Sequence, residues 1–290
     1  MFTRTWGERL FDWFNFLFLL LLGLCTLYPF IYVLTLSLMT PADALAMRVN
    51  FIPDNPTLAS YEKVFAHPYL WQAYFNTIVR TVLGVSLMLL MTSLVAYPLS
   101  RRGFSHRGGI MKLLVFSMLF NGGMIPMYLL VKNLGLLNSV WALVLPGAVT
   151  AFNVIIMKNF FEGIPGEIIE AARIDGAGEL RIYARIILPL SVPVLAVIAL
   201  WGAVTHWNAW FDAMLYMHDS DKQVLQLFVR RTVIEEAVSL TPGEELNREA
   251  YTPETLKAAT IMIVSLPILM VYPFVQRFFV KGVLLGSLKG

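Results

Sequence analysis

The stretch EAARIDGAGELRIYARIILP, from Glu170 to Pro189, lies between long apolar segments and differs from them in composition. Its apolar side chains recur mostly at three- and four-residue spacings, which is typical of a helix with one apolar face. Gly176 and Gly178 interrupt that pattern and indicate a turn. Acidic residues stand in the first half and basic residues close the second, as helix dipoles favour. The stretch therefore predicts two short helices joined by a turn, with Pro189 opening the next apolar segment.

The composition of the whole chain is that of a membrane protein. Hydrophobic residues make up 58% of the 290 residues, charged residues only 14%, and the net charge is +3; the mean hydropathy is +0.68. Soluble domains have about 25% charged residues and a smaller apolar share. A single cysteine, Cys25, excludes an internal disulfide and a cysteine metal cluster. The sequence predicts an all-α protein that crosses the membrane several times.

Six segments are long and apolar enough to cross a bilayer, and we expect them to form a single transmembrane domain over residues 1–290. A segment at 161–187 interrupts the series, and a tail at 280–290 follows it. Arg80, near the start of the second span, is expected to reach back to the lipid headgroups. The predicted spans are 14–38, 75–99, 111–131, 139–160, 188–211 and 256–279.

The distribution of basic residues predicts the orientation of these spans. Lys and Arg are more numerous on the connecting segments that would be inside if both termini were cytoplasmic, and the short loop SRRGFSHRGG after the second span is the densest of them. Basic residues favour the cytoplasmic side. We therefore expect both termini, and segment 161–187, to be cytoplasmic.

Two interpretations of segment 161–187 follow from its residues alone. It could form an amphipathic helix lying at the headgroups. Its first half is acidic, however, with Glu162, Glu167, Glu170, Asp175 and Glu179, and an anionic inner leaflet would repel these charges. A helix–turn–helix that projects from the membrane and docks in the groove of a partner protein fits the charges better.

The same segment carries a motif that resembles the signature of permease subunits of bacterial ABC importers. The pattern is E-A-A, three residues, G, nine residues, I, one residue and L-P. The tail VQRFFVKGVLLGSLKG and the stretch NGGMIPMYLLVKNLGLLNSVWALVLP, from Asn121 to Pro146, resemble the carbohydrate-uptake branch, both the maltose permease G subunit and the permeases for complex oligosaccharides and polysaccharides. The matching signature positions are Glu170, Ala171, Ala172, Gly176, Ile186, Leu188 and Pro189.

The resemblance implies a fold and a set of partners. The fold would be that of a type I ABC importer permease, with six transmembrane helices and a cytoplasmic coupling helix, in the bacterial cytoplasmic (inner) membrane. The partners would be a second permease subunit in a heterodimer, two ATP-binding subunits, an extracytoplasmic solute-binding protein, the sugar and membrane lipid, without nucleic acid. The chain itself would bind no cofactor, since ATP and Mg²⁺ would sit on the partner ATPase. The ATPase would contact the signature residues and Asp175, and also the tail through Lys281, Gly282 and Lys289.

Catalytic chemistry is not predicted for this chain. The sequence has no G-x-x-x-x-G-K-[ST] motif, so it lacks a P-loop and cannot be its own ATPase. The four histidines share no metal-ligand spacing. We therefore expect neither a catalytic residue nor a metal site.

A cluster of aromatic and polar residues towards the outer end of the fifth span could line a sugar pathway, because aromatic faces stack on sugar rings. An aromatic belt at the outer interface explains the same residues without a ligand. Two asparagines within spans are also expected to face a cavity or a neighbouring helix. The candidate pathway residues are Asn121, Asn153, Trp201, His206, Trp207, Asn208, Trp210 and Asp212.

Two other functions remain as alternatives. An ABC importer permease for a non-sugar solute shares the signature. An ion-coupled secondary transporter is disfavoured because the spans hold no ionisable residue well inside the bilayer. The outer loops carry comparable numbers of acids and bases, so acidic polysaccharide fragments are suggested as substrates by the resemblance only.

Overall fold

The computed structural model describes the backbone of residues 5–46, 53, 55–238 and 251–287, and the side chains of residues 5–46, 53, 55–232 and 251–270. All regular elements of this described part are helical. The fifteen α-helices, in chain order, are α1 Trp6–Ser37, α2 Pro41–Leu45, α3 Ala59–Phe65, α4 Leu70–Leu99, α5 Arg107–Leu119, α6 Met124–Asn133, α7 Val140–Val144, α8 Ala151–Glu162, α9 Gly166–Ile174, α10 Glu179–Ile182, α11 Leu188–Leu190, α12 Val192–Asn208, α13 Phe211–Tyr216, α14 Leu225–Val238 and α15 Pro253–Ser287.

Three helices are long and apolar enough to cross a membrane individually: Trp6–Ser37, Leu70–Leu99 and Pro253–Met270. Two further pairs meet the same criterion jointly but are sharply bent. The pair Arg107–Leu119 and Met124–Asn133 bends by 114°, and the pair Glu179–Leu190 and Val192–Asn208 bends by 78°. Up to five candidate spans are therefore found in the described residues.

The interruptions distinguish the structure from the continuous spans expected at 111–131 and 139–160. Between α5 and α6 the Asn121 side chain accepts a hydrogen bond from the Gly123 N–H at 3.0 Å, and Gly123 has a φ of 89°. That turn ends one helix and begins the next. Between α7 and α8 the chain contains Pro146 and Gly147, which disfavour a continuing helix. At the C-terminus the helix continues through the expected tail to Ser287.

The chain divides into two compact units, of which the first comprises residues 1–67 and 229–267. Its helix α1 begins with a capping box, in which Thr5 and Glu8 satisfy each other's backbone N–H groups. The Ser37 hydroxyl is hydrogen-bonded to that of Tyr61 at 2.7 Å, and Ser60 donates to Thr255 at 2.9 Å. Most of α1 is nevertheless exposed along its apolar length, so it is suited to lipid or to another subunit.

The second unit comprises residues 68–228 and 268–290, and its core forms where α4, α8 and α12 pack together. Glycines allow a close approach between α4 and α12. A Cβ at Gly84 would overlap the His206 ring, 2.6 Å from its Cε1, and one at Gly202 would overlap the end of Met88, 3.1 Å from its Sδ. Small residues at helix crossings are a general feature of membrane bundles. The core side chains include Met88, Ala96, Val154, Met157, Ile187 and Ile198.

Candidate functional site

The signature segment forms two helices and a turn, as its glycines suggested. α9 ends at Ile174 and α10 begins at Glu179. Gly176 has a φ of 77°, a conformation that side chains with a Cβ adopt only with strain. The Ala177 N–H donates to the Ala172 carbonyl at 2.9 Å and closes the turn. This is the geometry of a helix C-terminus that is ended by a left-handed glycine.

One face of this segment is buried and the other is unusually exposed. Ile169 and Ile182 are buried in the core of the second unit. Ile174 is 86% exposed and Leu180 is 75% exposed, although both are apolar. The exposed set also holds signature and acidic residues: Glu167, Glu170, Ala171 and Asp175. A face that combines exposed apolar side chains with carboxylates is suited to docking against a partner.

Hydrogen bonds connect the signature segment to α4. The Tyr97 hydroxyl donates to Oε2 of Glu179 at 2.7 Å, and Arg173 pairs with the same carboxylate at 2.7 Å. The Ser93 and Tyr183 hydroxyls are hydrogen-bonded at 2.7 Å, and the Tyr97 and Tyr183 rings lie 5.4 Å apart. We call Ser93, Tyr97, Arg173, Glu179 and Tyr183 the tyrosine network. These contacts join the signature segment directly to α4.

The tyrosine network is not evident from the sequence. Tyr97 and Glu179 are 82 residues apart in the chain. Their only signal in the sequence is that each polar side chain lies at the edge of an apolar segment. That signal does not show which residues of the two segments lie side by side.

The last signature residues mark an irregular helix. Tyr183–Ile187 form a π-helical turn that leads directly into α11. Pro189 has no N–H to donate to the carbonyl four residues earlier. π-Helical turns inside α-helices occur frequently at functional sites. Ile186 and Leu188 pack against the core, whereas Pro189 is exposed.

In the N-terminal half of α4, Arg80 is buried in the protein. The expectation that it reaches the headgroups is wrong: its side chain is 2% exposed and forms an ion pair with Asp212. It also donates to the Ala209 carbonyl at 3.1 Å. Burial of a cation requires such a partner. We call Arg80, Asp212 and the Ala209 carbonyl the buried ion-pair site.

Two candidate pathway residues, Asp212 and His206, make contacts within the protein at or near the buried ion-pair site. The Asp212 carboxylate pairs with Arg80, and its Oδ1 accepts a hydrogen bond from the Ala213 N–H at 2.8 Å. His206 is buried against α4 at Gly84. These contacts indicate that both residues hold α12 and α13 against α4.

The remaining candidate pathway residues lie in several environments. Asn153 is buried and donates to the Met88 sulfur at 3.4 Å, and Asn208 donates within its own helix to the Val204 carbonyl at 2.9 Å. Trp207 Nε1 is buried and has no hydrogen-bond partner among the described residues. Asn121 forms the turn between α5 and α6.

The two remaining tryptophans each have an aromatic neighbour. The Trp201 ring lies 5.7 Å from that of Phe152, and the Trp210 ring lies 5.5 Å from that of Phe211.

The tail residues expected to contact the ATPase lie beyond the described side chains. Lys281 and Gly282 lie on α15 after the last residue whose side chain is described. Lys289 lies outside the described residues altogether.

Known proteins share this sequence and architecture over nearly its full length. Residues 44–285 match the family described as "Binding-protein-dependent transport system inner membrane component". Among curated relatives, Protein LplC of Bacillus subtilis is 46% identical over 288 residues, covering 99% of this chain and 97% of that protein. The polygalacturonan/rhamnogalacturonan transport system permease protein YtcP of Bacillus subtilis is 43% identical, covering 98% and 99%.

A solved structure agrees in both fold and sequence. A chain from the crystal structure of a bacterial ABC transporter involved in the import of the acidic polysaccharide alginate superimposes with a TM-score of 0.87 and 34% identity, covering 96% of this chain and 100% of that one. The family match at residues 44–285 spans the signature segment and the apolar helices on either side of it. The chain therefore belongs to the inner membrane components of binding-protein-dependent transport systems, as an ABC importer permease subunit.

Proposed function

We propose that this chain forms, with a second permease subunit, the membrane pathway for an oligosaccharide that an extracytoplasmic binding protein delivers. Separate ATPase subunits, carrying ATP and Mg²⁺, dock on the signature segment and supply the energy. The exposed face around Glu170, Ile174 and Leu180, joined to α4 by the tyrosine network, is the observation that carries this proposal. Because the ATPase subunits are cytoplasmic, this face and both termini of the chain would lie in the cytoplasm.

Docking is tested by gentle purification of the tagged chain from its native membrane. We expect the second permease and the ATPase to be recovered with the wild type. Glu170→Lys should release the ATPase because the substitution reverses the charge at the centre of the exposed face. Glu62→Lys, an exposed glutamate on α3 outside the signature segment, makes the same charge change and should leave the complex intact. Equal ATPase recovery from both variants would contradict docking at this face.

The turn between α9 and α10 offers a second, sharper comparison. Gly176→Ala forces a Cβ into the left-handed region, at a cost of about 1 kcal/mol, and should weaken ATPase recovery. Gly178 has a φ of −72° and no atom within 4 Å of an added Cβ, so Gly178→Ala should behave as wild type. Transport and ATPase recovery are measured for both variants. Loss of recovery in both, or in neither, would show that the left-handed turn does not shape the docking face.

The substrate class rests on the relatives. YtcP is a permease for polygalacturonan and rhamnogalacturonan, and the structural relative imports alginate; all three are polysaccharides that contain uronic acids. We propose an acidic oligosaccharide as substrate. Uptake into proteoliposomes containing the complete transporter and its binding protein should be faster for oligogalacturonate or alginate fragments than for maltodextrin. A preference for maltodextrin would overturn the acidic assignment and leave the permease function standing.

An ion-coupled secondary transporter makes the opposite prediction about energy. In vesicles without ATP, an imposed ion gradient would then drive sugar uptake by the purified chain. We expect no such transport, and uptake only when the ATPase and internal ATP are both present. Uptake by the chain alone would overturn the ABC function.

A further inference from the structure

The last residue of α8 carries a carboxylate that two cations share. Glu162 stands immediately before residues 163–165, through which the chain enters α9. One of its carboxylate oxygens pairs with Nη2 of Arg107, and the other accepts from Nζ of Lys158 at 2.8 Å. Arg107 is the first residue of α5, whereas Lys158 lies one turn earlier on α8 itself. We call Arg107, Glu162 and Lys158 the charge clamp, since it joins α5 to the start of the signature segment.

The surroundings of Glu162 orient its carboxylate before Arg107 is considered. Lys158 is 8% exposed and also donates to Oδ1 of Asn159 at 3.2 Å, so two acceptors fix its ammonium group. The side chains of Arg107 and Glu162 are each 31% exposed. An isolated ion pair at a surface contributes little, because ordering two long side chains costs entropy. A carboxylate that a buried lysine already orients loses less of that entropy when it pairs with a second cation.

The rest of α5 has few attachments that could fix its direction. The helix lies wholly within the described residues, and Leu114 is its one buried side chain. Met111 is partly buried against the core of the second unit. At its far end α5 is broken from α6 by the 114° bend. The pair of Arg107 with Glu162 is therefore a substantial part of what holds α5 to the second unit. The exposed apolar side chains of α5 include Leu113, Phe116 and Leu119.

The charge clamp and the tyrosine network attach the signature segment on both sides of α9. Before α9, Glu162 pairs with Arg107 on α5; after it, Glu179 accepts from Tyr97 on α4. The loop at 100–106 joins α4 to α5, and backbone hydrogen bonds of 3.2 and 3.1 Å hold its turns. α9 thus lies between a contact with α5 and a contact with α4.

We propose that Glu162 is a positioning residue for transport, which through Arg107 makes α5 follow the signature segment when the ATPase moves that segment. The proposal rests on the proposed function, because the movement is that of an ATPase docked on α9. Transitions of this kind displace packed helices as rigid bodies. α5 leads directly to the bend before α6, so the charge clamp gives the ATPase a route into the membrane part of the protein besides the one through α4.

The test follows α5 and α4 separately in the intact transporter. Cys25 is the one cysteine of the chain, so Cys25→Ser, assembled with cysteine-free partner subunits, gives an unlabelled background. Ser117→Cys on α5 or Leu90→Cys on α4, both exposed positions, then carries an environment-sensitive fluorophore. The complex is placed in nanodiscs, and emission is recorded with and without ATP. We expect both labels to respond to ATP, and an α5 label that does not respond would overturn the proposal.

Three substitutions then separate the two routes. Arg107→Gln should abolish the response on α5 and leave that on α4, whereas Tyr97→Phe should weaken the response on α4 and leave that on α5. Lys112→Gln, an exposed lysine on α5 outside the charge clamp, makes the same charge change as Arg107→Gln and should keep both responses. An unchanged α5 response in Arg107→Gln, or equal losses on both helices, would contradict a separate role for the charge clamp.

Further measurements distinguish positioning from folding. Arg107 is a better target than Glu162, because Glu162→Gln would leave the buried Lys158 without its carboxylate. Arg107→Gln should unfold at nearly the wild-type temperature, since a half-exposed pair contributes little to stability, and should transport less sugar per ATP hydrolysed. Arg107→Lys keeps the charge and should restore much of the α5 response. A lower unfolding temperature with an unchanged ratio of transport to hydrolysis would make the pair structural and overturn the proposal.

Recovery of the ATPase separates this proposal from the proposed function. Arg107→Gln should retain the ATPase and hydrolyse ATP, because the exposed face around Glu170 is unchanged. A wild-type complex that lacks the ATPase would contradict docking, and with it both proposals. A complex that holds the ATPase and hydrolyses ATP, but whose α5 responds equally in the wild type and in Arg107→Gln, would overturn the role of Glu162 alone.

Discussion

Towards its N-terminal end α4 is held by the pair of a buried arginine with Asp212, whereas towards its other end it is held by hydroxyl groups at a half-exposed surface. At the first end Arg80 is enclosed with Asp212 and the Ala209 carbonyl. At the second end Tyr97 contacts a Glu179 carboxylate that is more than half exposed, and Arg101 keeps two N–H groups without partners among the described residues. Both sites keep buried arginine N–H groups without partners among the described residues, so the two differ in the burial of their charged groups rather than in how completely they are paired.

This difference corresponds to two different tasks. A buried ion pair resists displacement, because separating the charges leaves one of them buried without compensation. Hydrogen bonds at a half-exposed surface contribute less to stability and can reorganise when a partner moves. The buried ion-pair site is therefore suited to fixing α12 and α13 against α4, and the tyrosine network to transmitting movement of the signature segment.

The largest expected effect is at the buried ion-pair site. Arg80→Met leaves Asp212 without its cation and should lower the free energy of unfolding by about 3 kcal/mol, the lower limit for a broken buried pair because Asp212 is partly exposed. Chemical unfolding in detergent measures this change. Lys222→Met, which breaks the exposed pair with Asp219, should have no measurable effect. Equal losses of stability from both substitutions would show that the pair of Arg80 with Asp212 is no stronger than an exposed ion pair.

A smaller effect is expected at the helix crossing next to that site. Gly84→Ala places a methyl group into the His206 ring and should cost about 1–2 kcal/mol, since overpacking outweighs the gain in helix propensity. The Cβ of Gly202→Ala would overlap the flexible end of Met88 and touch Val85 Cγ2 at an ordinary 3.4 Å, so this substitution should be nearly neutral. The double variant Gly84→Ala with His206→Ala should regain much of the stability that Gly84→Ala loses, because the ring that the methyl group overlaps is then absent. Comparable unfolding temperatures for the two alanine variants would contradict the close contact.

The smallest effect on stability, but a distinct effect on transport, is expected in the tyrosine network. Tyr97→Phe removes the hydrogen bond to Glu179 and should cost about 1 kcal/mol or less. We expect less sugar transported per ATP hydrolysed, because the signature segment then moves with less influence on α4. The matched control is Tyr128→Phe, a tyrosine on α6 whose ring stacks on Tyr216. An unchanged ratio of transport to hydrolysis in Tyr97→Phe would exclude the network from coupling.

The sequence was most informative where local chemistry decides the backbone. The two glycines after Ile174 predicted the turn that the structure shows, and Gly176 proved to be the left-handed residue. Family membership followed from seven spaced residues in the same segment. The bend between α5 and α6 had a comparable signal in Asn121, Gly122 and Gly123, but an apolar average over the whole stretch concealed it.

Contacts between distant segments could not be predicted from one sequence. Whether Arg80 points to lipid or to protein depends on the rotation of α4, which hydropathy does not define. The pairing of Tyr97 with Glu179 and of Ser93 with Tyr183 depends on the register of two helices. Asp212 is an example: its neighbours in the sequence are aromatic, whereas its partner in the structure is Arg80 on another helix.

The 114° bend between α5 and α6 has a consequence for hydration. The first N–H groups of a helix and its last carbonyls have no partners within the helix itself, and hydrocarbon cannot satisfy them. A helix end at membrane depth must therefore face either water or another polypeptide. At this bend the Gly123 N–H is bonded to Asn121, and the remaining peptide groups around Gly122 need water or a neighbouring polypeptide as their partner.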